Sequence, residues 1–484
     1  MKKKIYILRV VVWCVLVSFA CTSCSDWLDV KPKTEEEAES MFSTEEGFKS
    51  ALAGAYIALC EPDLYGKELT FGMLGVLGQE WSGKEGPVSV SQSAYNNFLY
   101  YRYEEVVTKP IVEAVWKKMY KTIANVNTLI EYTDLKRDVL TGNNYEIIKG
   151  EAIALRAFIH FDLLRLYADC NFADSVSAIP YVKSSKPAIT PQSSTSEVVR
   201  LLVEDLDDAL ELLEKDPIFT GQDVSGVDNG YLVNRNFHLN YYAVQGLKAR
   251  IYAYAGKMQE AYNAAKIVIE AQENSGVCPW VNKNDVNATN TALRDRTFSS
   301  EHLFALNTTK LIDNIKGYFK ETLSPLKSRI APKDAADCLF VTGDYRGLFF
   351  ESDNGAENVL SKFWQMDNQI VGGETVRPKR DRMPVLRISE MYYIAAEYLK
   401  AVDAPEALNM LNIVREYRGL VEKLIDVNPI AIQNEILKEY QREFLGEGQL
   451  FYYHKRLGTK NIATANAKYT LPMPDDEIDL GQRN

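Results

Sequence analysis

Histidine is scarce and cysteine is scattered. The four histidines, His160, His238, His302 and His454, stand far apart in 484 residues, and the seven cysteines form no CxxC pair beyond residue 24. Neither arrangement suits a metal ion, whose ligands recur at short spacings. No metal or other cofactor is expected. The signatures of common catalytic sites are missing too: no GxSxG elbow, no HExxH, no P-loop, and no GxGxxG behind a strand. Positive charge is in deficit. Lys and Arg number 55 against 66 Asp and Glu, a formal net charge of −11. Loss of residues 1–23 would take Lys2, Lys3, Lys4 and Arg9 with no acid, leaving −15. That balance argues against nucleic acid, which demands clustered cations, and more weakly against strongly anionic ligands.

Long hydrophobic runs are absent after the first twenty residues. The one run, Val10 to Ala20, is shorter than the roughly 20 apolar residues a membrane-spanning helix needs. It follows Lys2, Lys3, Lys4 and a broken apolar start, and so reads as an export signal. It ends at "ACTSCSDWLDV", where small residues precede Cys21 and Cys24. That pattern reads as a bacterial lipoprotein signal. Cys24 is the expected lipidated residue and Cys21 the alternative, because the mature segment then starts cleanly at "SDWLDVKPKTEEEAES". Residues 24–40 are polar, acidic and without a periodic apolar face, as in a flexible tether. Residues 41–484 are expected to form a single domain. Four cysteines remain there, Cys60, Cys170, Cys278 and Cys338. They are as compatible with small buried hydrophobes as with disulfides.

What is present in quantity is helical periodicity. In "TSEVVRLLVEDLDDALELLEK" the apolar residues Val198, Leu201, Leu202, Leu206, Ala209, Leu212 and Leu213 share one face. Ser196 is the expected cap, and Asp205 flanks the stripe. Glu204, Asp207, Asp208 and Glu211 read as a solvated face. Similar stripes run through "IVEAVWKKMYKTIANVNTLIEYT" and "GEAIALRAFIHFDLLRLYAD", where Arg156 should pair with a nearby carboxylate. From His238 to Ala271, Ala249, Gly256, Ala261 and Ala265 sit at tetratricopeptide-type spacings: small residues let two helices approach, and Gly256 turns the chain between them. Residues 391–419 repeat the idea with Ala396, Ala407 and Leu411.

Irregular stretches separate the helices, at about 60–110, 168–195, 215–237 and 272–385. Long loops in a compact domain are often functional. Aromatic rings stack on the C–H faces of sugars while amides bond the hydroxyls. On that chemistry Trp81, Tyr95, Asn96 and Trp280 are the expected ligand-binding residues, with the loops 60–110 and 272–385 carrying the site. Trp116, on a helical stripe, is expected in the core.

The ordered set of segments resembles the SusD/RagB family of outer-membrane nutrient-binding lipoproteins over nearly the whole chain. The likeness rests on the cysteine before "SDWLDVKP", on "FSTEEGFKSALAGAYIAL" (42–59), "WKKMYKTIANVNTLI" (116–130), "GEAIALRAFIHFDLLRLYAD" (150–169), "IPY" (179–181) and "EVVRLLVEDLDDALELL" (197–213). Toward the end come "PVLRISEMYYIAAEYL" (384–399), "LNIVREYRG" (411–419), "EYQREFLGEGQLFYYHKR" (439–456) and "LPMPDDEI" (471–478). The chain departs from the commonest pattern at Tyr440 and Gln449, where many members carry arginine. The resemblance implies a mostly α fold of tetratricopeptide-like helix pairs forming an α-α superhelical scaffold, with long loops holding the ligand site. It implies anchoring at the cell surface through Cys24, an oligosaccharide ligand, and a SusC-type TonB-dependent transporter as partner. A peptide-binding or protein-only scaffold lipoprotein is the alternative. A lipid-anchored glycoside hydrolase is a further one, although no spacing marks a carboxylate pair.

Overall fold

The computed structural model describes residues 33–82, 90–170, 172, 176–319, 327–328, 339–353, 356–364, 369–376, 379–462 and 465–481. Cys21, Cys24 and Cys338 lie outside them. Among the described residues no helix is long and apolar enough to cross a membrane. Residues Lys33–Met41 are helical, so the stretch expected as a tether is helix in its second half.

The fold is mostly α, with short two-stranded ladders in its irregular part. Helix α1 spans Glu45–Leu59. Thr44 caps it by accepting from the Gly47 amide at 3.2 Å, and Glu45 and Glu46 occupy the positive end of the helix dipole. Helix α2, Lys109–Leu135, opens with Pro110, which costs no hydrogen bond in a first turn. It buries Val112, Val115, Trp116, Met119, Ile123 and Val126. Helix α3, Asn144–Tyr167, is the central element, and every residue from Gly150 to Tyr167 is buried. Helix α4, Thr195–Leu213, packs along it. At Gly150 a Cβ would stand 2.9 Å from Leu213 Cγ, so only glycine permits this approach. The cap of α4 is Ser194, accepting from Glu197 N at 3.2 Å, not Ser196.

Helices α5 (Tyr241–Tyr254) and α6 (Met258–Ser275) form the expected hairpin, and Gly256 turns between them at φ +71°. Ala249 and Ala261 are wholly buried, which lets the two backbones approach. Helices α7 (Ile388–Leu399) and α8 (Ala404–Tyr417) form a second pair, with Asp403 capping α8 and Ala396, Ala407 and Leu411 inside. From α2 to α8 each helix packs on the next, giving a continuous array. Helices α9 (Pro429–Glu443) and α10 (Gln449–Arg456) close the end of the domain.

A charge buried in this array must be matched, because desolvating a lone ion costs several kcal/mol. Arg156 of α3 forms the expected pair, giving two hydrogen bonds to Asp205 at 2.7 and 2.9 Å. Asp205 is therefore inside, not flanking the stripe. Around α9 the matching becomes a network. Glu443 takes Arg346, Arg387 and Arg418; Arg418 also pairs with Glu301, and Lys362 with Glu447 at 2.6 Å. Burial alone would raise the Glu443 carboxyl, but Arg418 and Arg387 more than offset this and hold it well below its ordinary range.

Strand β1 (His302–Asn307) pairs antiparallel with β2 (Arg382–Arg387), with Arg382 opposite Asn307 and Met383 opposite Leu306. Strand β2 runs directly into α7, so this ladder fixes the irregular part against the helices. Among the described residues the stretch 60–110 is not an open loop. It holds the short helices Met73–Leu77 and Val90–Phe98, and residues 68–81 are buried throughout. The described cysteines Cys60, Cys170 and Cys278 are free thiols.

Candidate functional site

A groove of about 610 Å³ opens where three irregular segments meet. One wall is the loop from Pro217 to Asn236, another is Cys278 and Pro279, and the floor comes from Ser299, Ser300 and His302 at the start of β1. Lys379 and Arg382, at the start of β2, close it.

The helices hold this groove through buried ion pairs. Asp216 caps the turn at Pro217 and accepts from Arg235 Nε and Nη2 at 2.9 and 2.8 Å. Arg235 Nη2 also lies 2.6 Å from Glu151 of α3. Burial alone would raise the Glu151 carboxyl; Arg235 and His238 outweigh that and hold it at about 2. The loop is thus pinned to the central helix by an arginine between two carboxylates. Asn240 adds its amide, donating to Arg235 O and Leu303 O at 2.9 Å each.

Two features distinguish this groove. First, three residues lining it carry a buried polar atom with no hydrogen-bond partner: Arg235 Nη1, Ser300 Oγ and His302 Nδ1. Leaving such an atom unsatisfied costs on the order of 1–3 kcal/mol. Second, the backbone around it is strained. Asn234, Cys278, Phe298 and Asp381 line or adjoin the groove, and all four have φ between +49° and +62°. Asparagine and aspartate tolerate that region; cysteine and phenylalanine rarely enter it. Strain of this kind clusters where a site has been built.

His302 has a defined state. Its Nε2 lies 2.8 Å from the Thr297 carbonyl, which can only accept, so Nε2 carries the hydrogen. The residue is 1% exposed. Burial lowers its pKa to about 3, so the ring is neutral and Nδ1 is a bare acceptor. Cys278 helps hold this strand by donating its thiol to the His302 carbonyl at 3.3 Å. Arg382 lies over the Phe237 ring at 4.8 Å, and Asn236, with its oxygen turned toward the guanidinium, accepts from Nη1 at 3.2 Å.

The residues expected from sequence are placed elsewhere. Trp81 is 1% exposed, donates Nε1–H to Phe71 O at 2.8 Å and packs on Phe319. Tyr95 is buried, with its hydroxyl on Glu68 at 3.2 Å and its ring against Tyr318. The fold brings these two into one aromatic cluster, with Asn96 half-buried beside Tyr95, but the cluster is core. Trp81 and Tyr95 are corrected from ligand-facing rings to packing rings: their polar atoms are matched and their ring faces covered. Trp280 belongs to a separate place. It is half-buried and stacks on Tyr417 at 4.7 Å and 16°, with Arg418 beneath it at 5.6 Å. Tyr417 is 45% exposed. Trp280 directly follows the groove wall Cys278–Pro279, while its ring is not part of the lining.

Sequence reasoning missed Arg235, Ser300, His302 and Arg382. One usable signal was the run "VDNGYLVNRNF", dense in the residues that tolerate positive φ and bond hydroxyls. His302 carried no signal of its own, since its partners come from chain folding.

Comparison with known proteins matches this architecture. Residues 26–220 match the family described as "SusD-like_3: Starch-binding associating with outer membrane". Residues 352–470 match "SusD_RagB: SusD family". The two segments together take in well over half of the chain. The chain is 24% identical to SusD-like protein P2 of Formosa agariphila over 520 aligned residues, 96% of each. Among solved structures it is similar to a SusD superfamily protein from Bacteroides vulgatus (TM-score 0.68, 20% identity, 91% of this chain and 97% of that one). It is also similar to a SusD-like carbohydrate binding protein from Bacteroides vulgatus (TM-score 0.66, 19% identity, 91% and 97%). Ordered motifs, helical array and family matches agree: the chain belongs to the SusD/RagB family.

Proposed function

We propose that this protein is a cell-surface lipoprotein that captures an oligosaccharide in the groove beneath β1 and β2 and passes it to a SusC-type TonB-dependent transporter. The observation that carries the binding step is the coincidence of unsatisfied buried polar atoms and positive-φ residues around one open groove. The groove offers polar groups a sugar can bond: the amides of Gln222, Asn234 and Asn236 on its wall and the guanidinium of Arg382. Trp280 with Tyr417 supplies a stacking surface beside it. The outer-membrane association and carbohydrate binding named for relatives support the same reading.

Binding, rather than hydrolysis, fits the lining. Glycoside hydrolysis uses two carboxyl groups flanking the bond, and the lining contains one, Asp223. Attachment to the membrane is assigned to acylation of Cys24, with Cys21 as the alternative, and residues 1–23 to the signal. Metabolic labelling with a fatty acid tests this. Cys24→Ala should lose the label, and retention of label would move the anchor to Cys21.

Isothermal calorimetry against a panel of oligosaccharides and peptides tests the ligand class. An oligosaccharide should bind, and Arg382→Ala together with Asn236→Ala should weaken it without lowering the melting temperature. Peptide binding with no glycan binding would replace this reading by the peptide one.

A further inference from the structure

The charge along the groove runs against that of the chain. The whole sequence has 55 Lys and Arg against 66 Asp and Glu. The groove lining has Arg235, Lys379 and Arg382 against Asp223 alone. Asp223 is exposed, and its carboxylate already accepts from the Ser225 amide at 2.9 Å, so solvent and salt screen it.

The three cations are not equivalent. Arg235 is set between Glu151 and Asp216, and Lys379 between Asp285 at 2.7 Å and Asp295 at 3.4 Å. Both are matched within the protein. Arg382 has no carboxylate partner among the described residues. It stands at the start of β2, with its guanidinium over the Phe237 ring at 4.8 Å and Nη1 donating to Asn236 at 3.2 Å. The ring and the amide hold the fork in place and leave its other N–H groups unused. The side chain is half-buried, and its nitrogens, unlike Arg235 Nη1, are not sealed from solvent. Burial lowers its pKa, and the charge of Asp295 recovers only part of that. A partly desolvated, oriented guanidinium without a counterion is the half of an ion pair that a planar or tetrahedral oxyanion completes through two parallel hydrogen bonds.

We propose that the groove takes an acidic oligosaccharide, one whose sugars carry a carboxylate or a sulfate, with Arg382 as the specificity-determining residue that binds the anionic group. This rests on the carbohydrate reading above. Phe237 and Asn236 act as positioning residues for the guanidinium.

The test is calorimetry on the intact mature protein with matched pairs of probes. Hexagalacturonate is compared with its full methyl ester, and a sulfated galactan hexasaccharide with its desulfated form. Maltohexaose, xylohexaose and mannohexaose are further uncharged probes. At least one acidic probe should bind about tenfold or more tighter than its uncharged counterpart and than the other uncharged probes. The pair that shows the preference tells carboxylate from sulfate. Arg382→Gln should lose about tenfold for the acidic probe and only a few-fold for its counterpart. Arg382→Lys keeps the charge without the fork and should fall between the two. Raising NaCl from about 50 to 500 mM should weaken the acidic probe and leave the uncharged ones little changed, a readout that serves if neither variant folds. Uncharged probes binding as tightly as their acidic counterparts, or an acidic preference indifferent to salt, overturns the proposal and leaves carbohydrate binding standing. A preference retained in Arg382→Gln overturns the role of Arg382. No binding by any of these sugars removes the carbohydrate reading itself, and the proposal with it.

Discussion

Replacing Glu80 by glutamine should make the protein more stable, and only above mildly acidic pH. Glu80 is wholly inside the fold, next to the buried Trp81, and accepts from the Gly446 amide at 2.8 Å. Burial is the main influence on its carboxyl. Gly446 N–H and Lys362 pull the other way, Glu447 adds to the rise, and the result is a pKa of about 8 against 4.5 for an unburied glutamate. Below pH 4.5 both folded and unfolded chains hold the proton. Between 4.5 and 8 the unfolded chain has released it and the folded chain has not, so stability falls as pH rises. At 1.36 kcal/mol per pKa unit the loss reaches roughly 4–5 kcal/mol by pH 8, an upper figure, and then levels off. Glutamine keeps a carbonyl oxygen for the Gly446 amide and has no proton to lose. With unfolding entropy of about 2.1 cal/mol/K per residue, a chain of this size shifts by about 1 °C per kcal/mol. The variant should therefore melt close to wild type at pH 5 and about 3–5 °C higher at pH 8.5. Scanning fluorimetry at the two pH values suffices. A melting difference that is the same at both, of either sign, refutes the buried, proton-holding state of Glu80.

Three further outcomes are expected. Gly150→Ala should destabilise by about 1–3 kcal/mol in thermal melts, because its methyl would meet Leu213 Cγ at 2.9 Å and the Ala209 carbonyl at 3.2 Å. Trp81→Phe should lower stability by about 1–3 kcal/mol, from the lost Nε1–H bond to Phe71 O and a smaller ring, while leaving glycan affinity unchanged. Glu443→Gln should cost about 3–5 kcal/mol near neutral pH by leaving buried arginines under-compensated. The Glu443 carboxyl is held low in the folded state, so its contribution is present above the unfolded carboxyl pKa and fades as pH falls through the folded one. The gap between wild type and variant should narrow in strong acid.

The helical half of the molecule was legible because its signals are local. The stripe of α4, the α5–α6 hairpin with Gly256 at its turn, and the pairing of Arg156 all depend on residues a few positions apart or on the rule that a buried ion finds a partner. Asp205 was misjudged because its partner lies 49 residues away on α3. The cap fell on Ser194 rather than Ser196 within one serine-rich run, a difference only backbone angles decide. The candidate site was hardly legible. Trp81 sits among polar and glycine residues and reads as a loop aromatic, yet Phe319 folds over it from far along the chain. Trp280 was rightly placed in the irregular part, but the groove beside it is assembled from residues 217–236, 278–302 and 379–382, none of which adjoin in sequence. What the floor of that groove can bond depends on which atoms other segments leave unpartnered, and composition does not carry that information.

The most direct test of where ligand binds is hydrogen–deuterium exchange of the mature protein with and without a saturating oligosaccharide identified by calorimetry. Slowed exchange should concentrate in 217–236, 278–302 and 379–382. Protection confined to 60–110, or centred on Trp81 and Tyr95 with none around His302, would contradict the assignment of the groove as the binding site.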